Sequence, residues 1–176
     1  MPVLYVIACG ARPAGDLAPF VRFAQVQGWD VGVIVTPDGA KFADTGHLAA
    51  LTGHPVRMHY KQPDEPDVLP PADAMVIAPA TFNTLNKLAA GITDTLALGL
   101  VSEAVGLGLP VIAAAWAGAA LAGHPAFQRS IAALRAWGIT VLHEPGPGER
   151  AFPWDELRAR LPDLRSAAGQ SGGGVR

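Results

Sequence analysis

The stretch Ala74-Met75-Val76-Ile77-Ala78-Pro79-Ala80-Thr81-Phe82-Asn83-Thr84 decides the fold. Ala74 to Ala78 is a short apolar run of the kind that forms a strand buried on both faces. From Thr84 to Ala90 the apolar spacing becomes helical, so a strand gives way to a helix within a few residues. The same alternation extends in both directions. Toward the N-terminus, Val3 to Cys9 reads as a buried strand ending at Gly10. A helix follows, capped by Asp16, with Leu17, Phe20, Val21 and Ala24 on one face and Gly28 as its stop. Val31 to Val35 is a second strand, Ala40 to Leu51 a helix, and Val56 to Tyr60 a weakly alternating third strand before the Pro-rich loop 61–71. Toward the C-terminus come a helix at Asp94 to Gly106, a strand at Pro110 to Ala115, a helix from Pro125 to Trp137, a short strand at Thr140 to Leu142 and a helix near Trp154 to Arg160. Strands alternating with helices predict an α/β fold: one domain, residues 1–165, built as a doubly wound parallel sheet in three layers of Rossmann type, with a Gly/Ser-rich flexible tail at 166–176.

Composition agrees with this and narrows the function. The chain has 176 residues, half of them apolar, with 20 Gly, 16 Pro and only 16% charged side chains, which excludes disorder by low hydrophobicity and high charge. So low a share of charge means that much of the surface is either Ala/Gly-rich or covered by something, such as a partner subunit. Net charge is −2 with 13 scattered basic residues, so no electrostatic footprint for nucleic acid is present. The single Cys9 excludes an internal disulfide framework and a thiolate metal cluster, and no His pair has zinc-site spacing with a third ligand in view. With a single cysteine the expected location is a reducing cytoplasm, and Met1-Pro2-Val3 has no basic n-region and no cleavage-site pattern, so no signal peptide is expected. The uncharged nineteen residues Val105 to Gly123 approach the length of a membrane span, but their Ala/Gly content and Pro110 favour a strand followed by a loop.

In open parallel sheets ligands bind at the carboxyl ends of the strands, which selects three segments. Gly10-Ala11-Arg12-Pro13-Ala14-Gly15 could bring backbone close to a phosphate at a helix start, with Arg12 adding a charge. It could equally be a tight connection needing Gly for geometry, and it has neither dinucleotide-fingerprint nor P-loop spacing. Thr36-Pro37-Asp38-Gly39 offers a hydroxyl at the ligand edge or an ordinary capping turn. Around Thr81, Asn83, Thr84 and Asn86 the hydrogen-bonding side chains outnumber what capping requires, and an amide and hydroxyls there suit the polar edge of a planar heterocycle or its phosphate.

Pro79-Ala80-Thr81-Phe82-Asn83-Thr84 resembles the P-A-S-A-N-T signature of the homo-oligomeric flavin-containing cysteine decarboxylases. The likeness continues through Leu85-Asn86-Lys87-Leu88-Ala89-Ala90-Gly91-Ile92-Thr93-Asp94 and resumes at Gly123-His124-Pro125, covering about Val3 to Leu142 in all. The resemblance implies a flavodoxin-like sheet that binds FMN, in trimers or dodecamers built from trimers. By position it assigns FMN contacts to Gly10, Ala11 and Arg12, to Thr36, Pro37 and Asp38, and to Thr81, Phe82, Asn83 and Thr84. It also implies a small-molecule or peptide thiol substrate, and a histidine base for which His59 is the candidate. That base lies farther ahead of Pro79 than the family's spacing, which requires an insertion in the Pro-rich loop.

Two departures shape the expected chemistry. The family's substrate segment, P-x-M-N-x-x-M-W, is replaced by Ala115-Trp116-Ala117-Gly118-Ala119-Ala120-Leu121-Ala122, with Gly118 where an Asn would hold the substrate. Phosphopantothenoylcysteine decarboxylases complete their reaction with a C-terminal cysteine, and here none follows Cys9. The family-compatible expectation is therefore oxidative decarboxylation of a cysteine-like thiol acid to an enethiol by an FMN-dependent lyase. A flavin prenyltransferase-like enzyme, with Arg12, Lys41 and Lys87 for a second phosphate, is one alternative, and a non-catalytic FMN-binding protein is another. Trp116 could stack on a flavin or pack in the core.

Overall fold

The computed structural model describes residues 1–143 and 151–171. Five parallel strands, β1 (Val3–Ala8), β2 (Asp30–Val35), β3 (Ala74–Thr81), β4 (Val111–Trp116) and β5 (Thr140–Leu142), form one sheet in the order β2-β1-β3-β4-β5. Val6 lies opposite Val33 on one side and Val76 on the other, and Val76 opposite Ile112. Every residue of β1 is buried, as its unbroken apolar run requires of a strand covered on both faces.

The two sides of each strand feed two cores. Tyr5, Ile7, Met75, Ile77, Val111 and Ala113 point to one layer, with α3 (Phe82–Ala89), α4 (Leu96–Gly106) and α6 (Pro125–Ala136) supplying Leu85, Val101 and Phe127. Leu4, Val6, Val76, Ile112 and Ala114 point to the other, where α1 (Leu17–Val26) and α7 (Trp154–Ser171) supply Phe20, Leu157 and Leu161. α2 (Thr45–Thr52) packs beside α1, and α5 (Ala119–Ala122) is a single turn after β4. The expected doubly wound parallel sheet is the observed one.

Several local expectations are corrected. Val56 to Tyr60 is not a strand; it makes one isolated bridge, Ile34 to Arg57, at the outer edge of β2, because weak alternation without a second paired neighbour cannot sustain a ladder. Asp16 does not cap α1, since a tight 3₁₀ turn over Arg12–Asp16 leads directly into the helix. The second helix begins at Thr45, capped by Asp44 Oδ1 accepting from the His47 N–H at 2.9 Å, with only a short turn at Gly39–Lys41 before it. The last helix does not stop near Arg160. Pro162 lies within it, and Leu157, Leu161, Leu164 and Ala168 are buried at helical spacing, so packing outweighs the missing N–H. Residues 166–171 are accordingly helical, and the remainder of the expected tail, 172–176, falls outside the described residues. The uncharged stretch 105–123 resolves into the end of α4, β4 and α5, and among the described residues no helix is long and apolar enough to cross a membrane.

One glycine is fixed by close approach. A Cβ on Gly39 would collide with the carbonyl oxygen of Ala8, which accepts from the Thr36 N–H at 3.0 Å and belongs to a central strand that cannot retreat. Gly39→Ala is therefore expected to destabilise the fold by about 1–3 kcal/mol, the usual penalty for overpacking. The midpoint of chemical denaturation checks this, and an unshifted midpoint would show that the turn yields freely.

Candidate functional site

The chain runs from β1 outward to β2, then crosses back to β3 on the other side of β1, which puts the topological switch between β1 and β3. A cleft of about 490 Å³ opens there at the carboxyl ends of the strands, within the range of small-ligand sites. Its walls come from the loops after β1 and β2, from the end of β3 and the α3 helix that follows it directly, from the start of α4, and from the end of β4 and the segment after it.

The polar wall is the start of α3. Thr81 caps the helix: its Oγ1 accepts from the Thr84 N–H at 3.4 Å and its hydroxyl donates to Thr84 Oγ1 at 3.2 Å. The remaining first-turn N–H groups have no partner within the helix, and this turn, at the positive end of the helix dipole, lines the cleft. Asn83 is exposed at this turn and its amide makes no hydrogen bond within the described residues. Asn86, by contrast, is committed to structure, with its Oδ1 accepting from the Ser130 hydroxyl at 2.6 Å to tie α3 to α6. Beneath this wall Cys9 is fully buried, and burial pushes its thiol up, opposed by hydrogen bonding with Thr84 and Thr81. It is a core thiol under the site, not a nucleophile in it.

The loops after β1 and β2 form the opposite side. A Cβ on Gly10 would lie 2.5 Å from Asp38 Cβ, so the two loops touch across this glycine. Gly10, Ala11, Thr36, Pro37 and Asp38 all line the cleft. The buried Thr36 Oγ1 accepts from the Gly39 N–H at 3.0 Å, so the turn-capping reading is realised, leaving the hydroxyl proton for another acceptor. Asp38 pairs with Lys41 at 2.6 Å; the hydrogen bond from Lys41, together with its charge, holds the Asp38 carboxyl below the usual range.

The third side is apolar. Phe82 stacks on the buried Phe127 with ring centroids 5.6 Å apart and meets His124 edge-on at 5.8 Å. Leu98, Trp116, Ala117, Gly118 and Leu121 complete it. Trp116 does two jobs, lining the cleft and packing edge-on against Phe152 at 5.5 Å. A Cβ on Gly118 would meet nothing within 4 Å, so no steric demand explains a glycine there.

The structure thus brings nine of the ten expected contact residues to one cleft. Arg12 is the exception: it is exposed in the 3₁₀ turn and does not line the cleft. His59 is exposed as well and also lies outside the lining, its carbonyl accepting from Arg57 at 3.4 Å. Of the cations suggested for a second phosphate, Lys41 is paired with Asp38 and Lys87 with Asp94 at 2.6 Å. Thr95 and Leu98 were not anticipated as cleft residues, whereas Leu121 belongs to the segment 115–122 that the resemblance set against the family's substrate segment. Thr95 could have been found from its capping position ahead of Leu96, whereas Leu98 carries no chemical signal in the sequence.

The arrangement fits a flavin nucleotide: an anion-compatible helix start and a free amide face an apolar side with a ring-bearing wall, which suits a molecule with a phosphate end and a planar heterocycle. The comparisons with known proteins point the same way. A family profile described as Flavoprotein matches residues 16–167. The chain is 34% identical over 110 residues to a cysteine/cysteine sulfinic acid decarboxylase from an unknown prokaryotic organism, covering 59% of this chain and 30% of that protein. It is 31% identical over 127 residues to the coenzyme A biosynthesis bifunctional protein CoaBC of Bacillus subtilis strain 168, covering 69% of this chain and 30% of the relative. The chain thus spans less than a third of the length of these two relatives. Among solved structures, the FMN-dependent cysteine decarboxylase TvaF from thioviridamide biosynthesis superposes with a TM-score of 0.74 at 26% identity, covering 94% of this chain and 99% of that one.

Proposed function

Because the chain belongs to the Flavoprotein family, we propose that it binds FMN in the cleft at the carboxyl ends of β1 to β4 and decarboxylates a cysteine-like thiol acid. The observation that carries this reading is that the start of α3, with its cap at Thr81 and the free Asn83 amide, lines the same cleft as the apolar side chains Phe82, Leu98 and Trp116. Asn83, with the Thr81 and Thr84 hydroxyls, binds the polar edge of the ring system or the phosphate, and Phe82 and Trp116 exclude water from its faces. Gly10, Ala11, Thr36, Pro37 and Asp38 supply backbone and one hydroxyl at the opposite margin. When bound, the flavin supplies two-electron oxidation chemistry at the carbon bearing sulfur. The protein's part is to orient the substrate, keep water out and accept a proton.

The substrate's carboxylate receives no side-chain contact from residue 118, since glycine has no side chain to offer. That absence fits a substrate held by its other end. The base we assign is His59; being exposed and outside the lining of its own cleft, it serves only where assembly brings it to a cleft, which links the base to a homotrimer or a multiple of three. His59→Asn is expected to abolish carbon dioxide release while leaving flavin content unchanged, with sedimentation giving a trimer or a multiple of it. Surviving turnover, or a monomer, would remove His59 from the mechanism.

The test of the whole reading is the visible absorption spectrum of the purified protein, identification of any chromophore released on denaturation, and carbon dioxide release from thiol acids. Flavin bands with FMN released and carbon dioxide evolved support it. A coloured protein without turnover favours the FMN-binding protein without catalysis, and a colourless one that fails to take up added FMN refutes the cleft assignment.

A further inference from the structure

We propose that Tyr60 is a latch that fastens the strap 57–60 to the rim of the cleft and so sets how long the cleft retains its ligand; the second half of this rests on the FMN reading above. The strap is pinned at its start. Arg57 joins the outer edge of β2, its N–H donating to the Val33 carbonyl at 3.1 Å and its carbonyl accepting from Val35 at 2.8 Å. Three residues later the Tyr60 hydroxyl donates to the Thr93 carbonyl at 3.1 Å.

The second observation is a glycine. Gly99 sits buried within α4, where helix propensity disfavours glycine. A Cβ there would collide with the Tyr60 hydroxyl and lie 3.0 Å from its Cζ, so the glycine leaves a notch that Tyr60 occupies. The hydrogen bond and the notch hold the same side chain from two elements, the loop 91–95 and α4.

What the latch holds is part of the cleft. The exposed loop 91–95 carries Asp94, whose carboxylate pairs with Lys87 of the cleft wall at 2.6 Å. It ends at Thr95, which lines the cleft and caps α4 by accepting from the Leu98 N–H at 3.3 Å. This rim is therefore fastened to α3 through Lys87 and to the strap through Tyr60. Release of Tyr60 leaves the loop held only from the α3 side, by the Lys87–Asp94 pair and by the Ile92 N–H donating to the Lys87 carbonyl at 2.9 Å, so the rim and the first turn of α4 open more often and ligand escapes faster.

The test compares the wild type with Tyr60→Phe, Gly99→Ala and the double variant in the intact chain. Amide hydrogen exchange is followed over residues 91–99 of the flavin-free protein, and the FMN dissociation rate is followed by fluorescence recovery. Tyr60→Phe keeps the ring and removes only the donor. Gly99→Ala improves helix propensity but fills the notch and displaces Tyr60, so faster exchange is expected, and because the nearest atoms its Cβ meets belong to Tyr60, the gain over Tyr60→Phe alone is expected to vanish in the double variant. Each single variant is expected to raise both rates about threefold to tenfold, the range of one net hydrogen bond, and the double variant no further than the larger single. Unchanged exchange in Tyr60→Phe, slower exchange in Gly99→Ala, or additive effects in the double variant would overturn the latch. Faster exchange with an unchanged FMN dissociation rate would overturn its hold on the ligand. Should the wild type take up no FMN, the flavin reading fails by itself, and the exchange data alone decide the latch: lost protection in Tyr60→Phe upholds it and retained protection refutes it.

Discussion

Phe127→Ala is expected to lower stability by about 3–5 kcal/mol, the range for deleting a fully buried phenyl ring, and to loosen the cleft at the same time. Phe127 is 0% exposed on α6, between the sheet and α3. Its ring stacks on Phe82 and meets His143 edge-on at 5.3 Å. Removing it leaves a cavity behind one wall of the site, and Phe82 loses the surface that fixes its orientation. Both losses are measurable on one sample: the denaturation midpoint reports the core, and FMN affinity at a temperature where the variant is folded reports the wall. Phe127→Leu, which fills most of the cavity, should recover most of the stability but less of the affinity, since a branched aliphatic chain gives Phe82 no flat partner. Equal recovery of both would show that Phe127 acts on the site only through global stability.

Asn83→Ala is expected to weaken FMN binding about tenfold to a hundredfold with stability changed by less than about 0.5 kcal/mol. The asymmetry follows from where the amide sits. Asn83 is exposed, makes no intramolecular hydrogen bond among the described residues and contributes nothing to the cap that Thr81 provides, so the fold does not depend on it. A ligand edge buried against it would lose its partner and carry the full desolvation penalty. Titration of the flavin-free variant with FMN, alongside a thermal melt, separates the two quantities. Unchanged affinity would remove Asn83 from the contact set. A large loss of stability would show instead that the side chain supports the helix start.

The strand-to-helix transition at Ala74–Thr84 was legible because its cause is local. An unbroken apolar run has no stable setting except between two covered faces, and a Thr ahead of a helical pattern is a cap wherever it falls. The same reasoning located β1, β2, β4 and β5, and with them the three loops that the carboxyl edge of a parallel sheet brings together. It failed where a local signal competed with packing at a distance. Val56 to Tyr60 alternates like a strand but has only one bridge to Ile34, and the last helix, expected near Trp154 to Arg160, runs on to Ser171 because Leu161, Leu164 and Ala168 bury it.

The site divides in the same way. Its polar members are visible in the sequence because Asn, Thr and Gly at a strand end have few other reasons to cluster. Leu98 reaches the cleft only because α4 is packed beside it, and nothing in a leucine announces that. Arg12 sits in a loop that does border the cleft, yet it is exposed in the 3₁₀ turn, and His59 stands two residues past the bridge at Arg57 and outside the lining. The role of Tyr60 lay furthest from reach, because it depends on a notch at Gly99 that lies thirty-nine residues away. By itself, then, the sequence determined the layers, the order of strand and helix, and the chemical character of the loops, all of which follow from periodicity and residue type. Which side chains share the cleft, which are spent on ion pairs, and which element fastens its rim were decided by the tertiary structure alone, because each depends on distances between segments that the chain order does not contain.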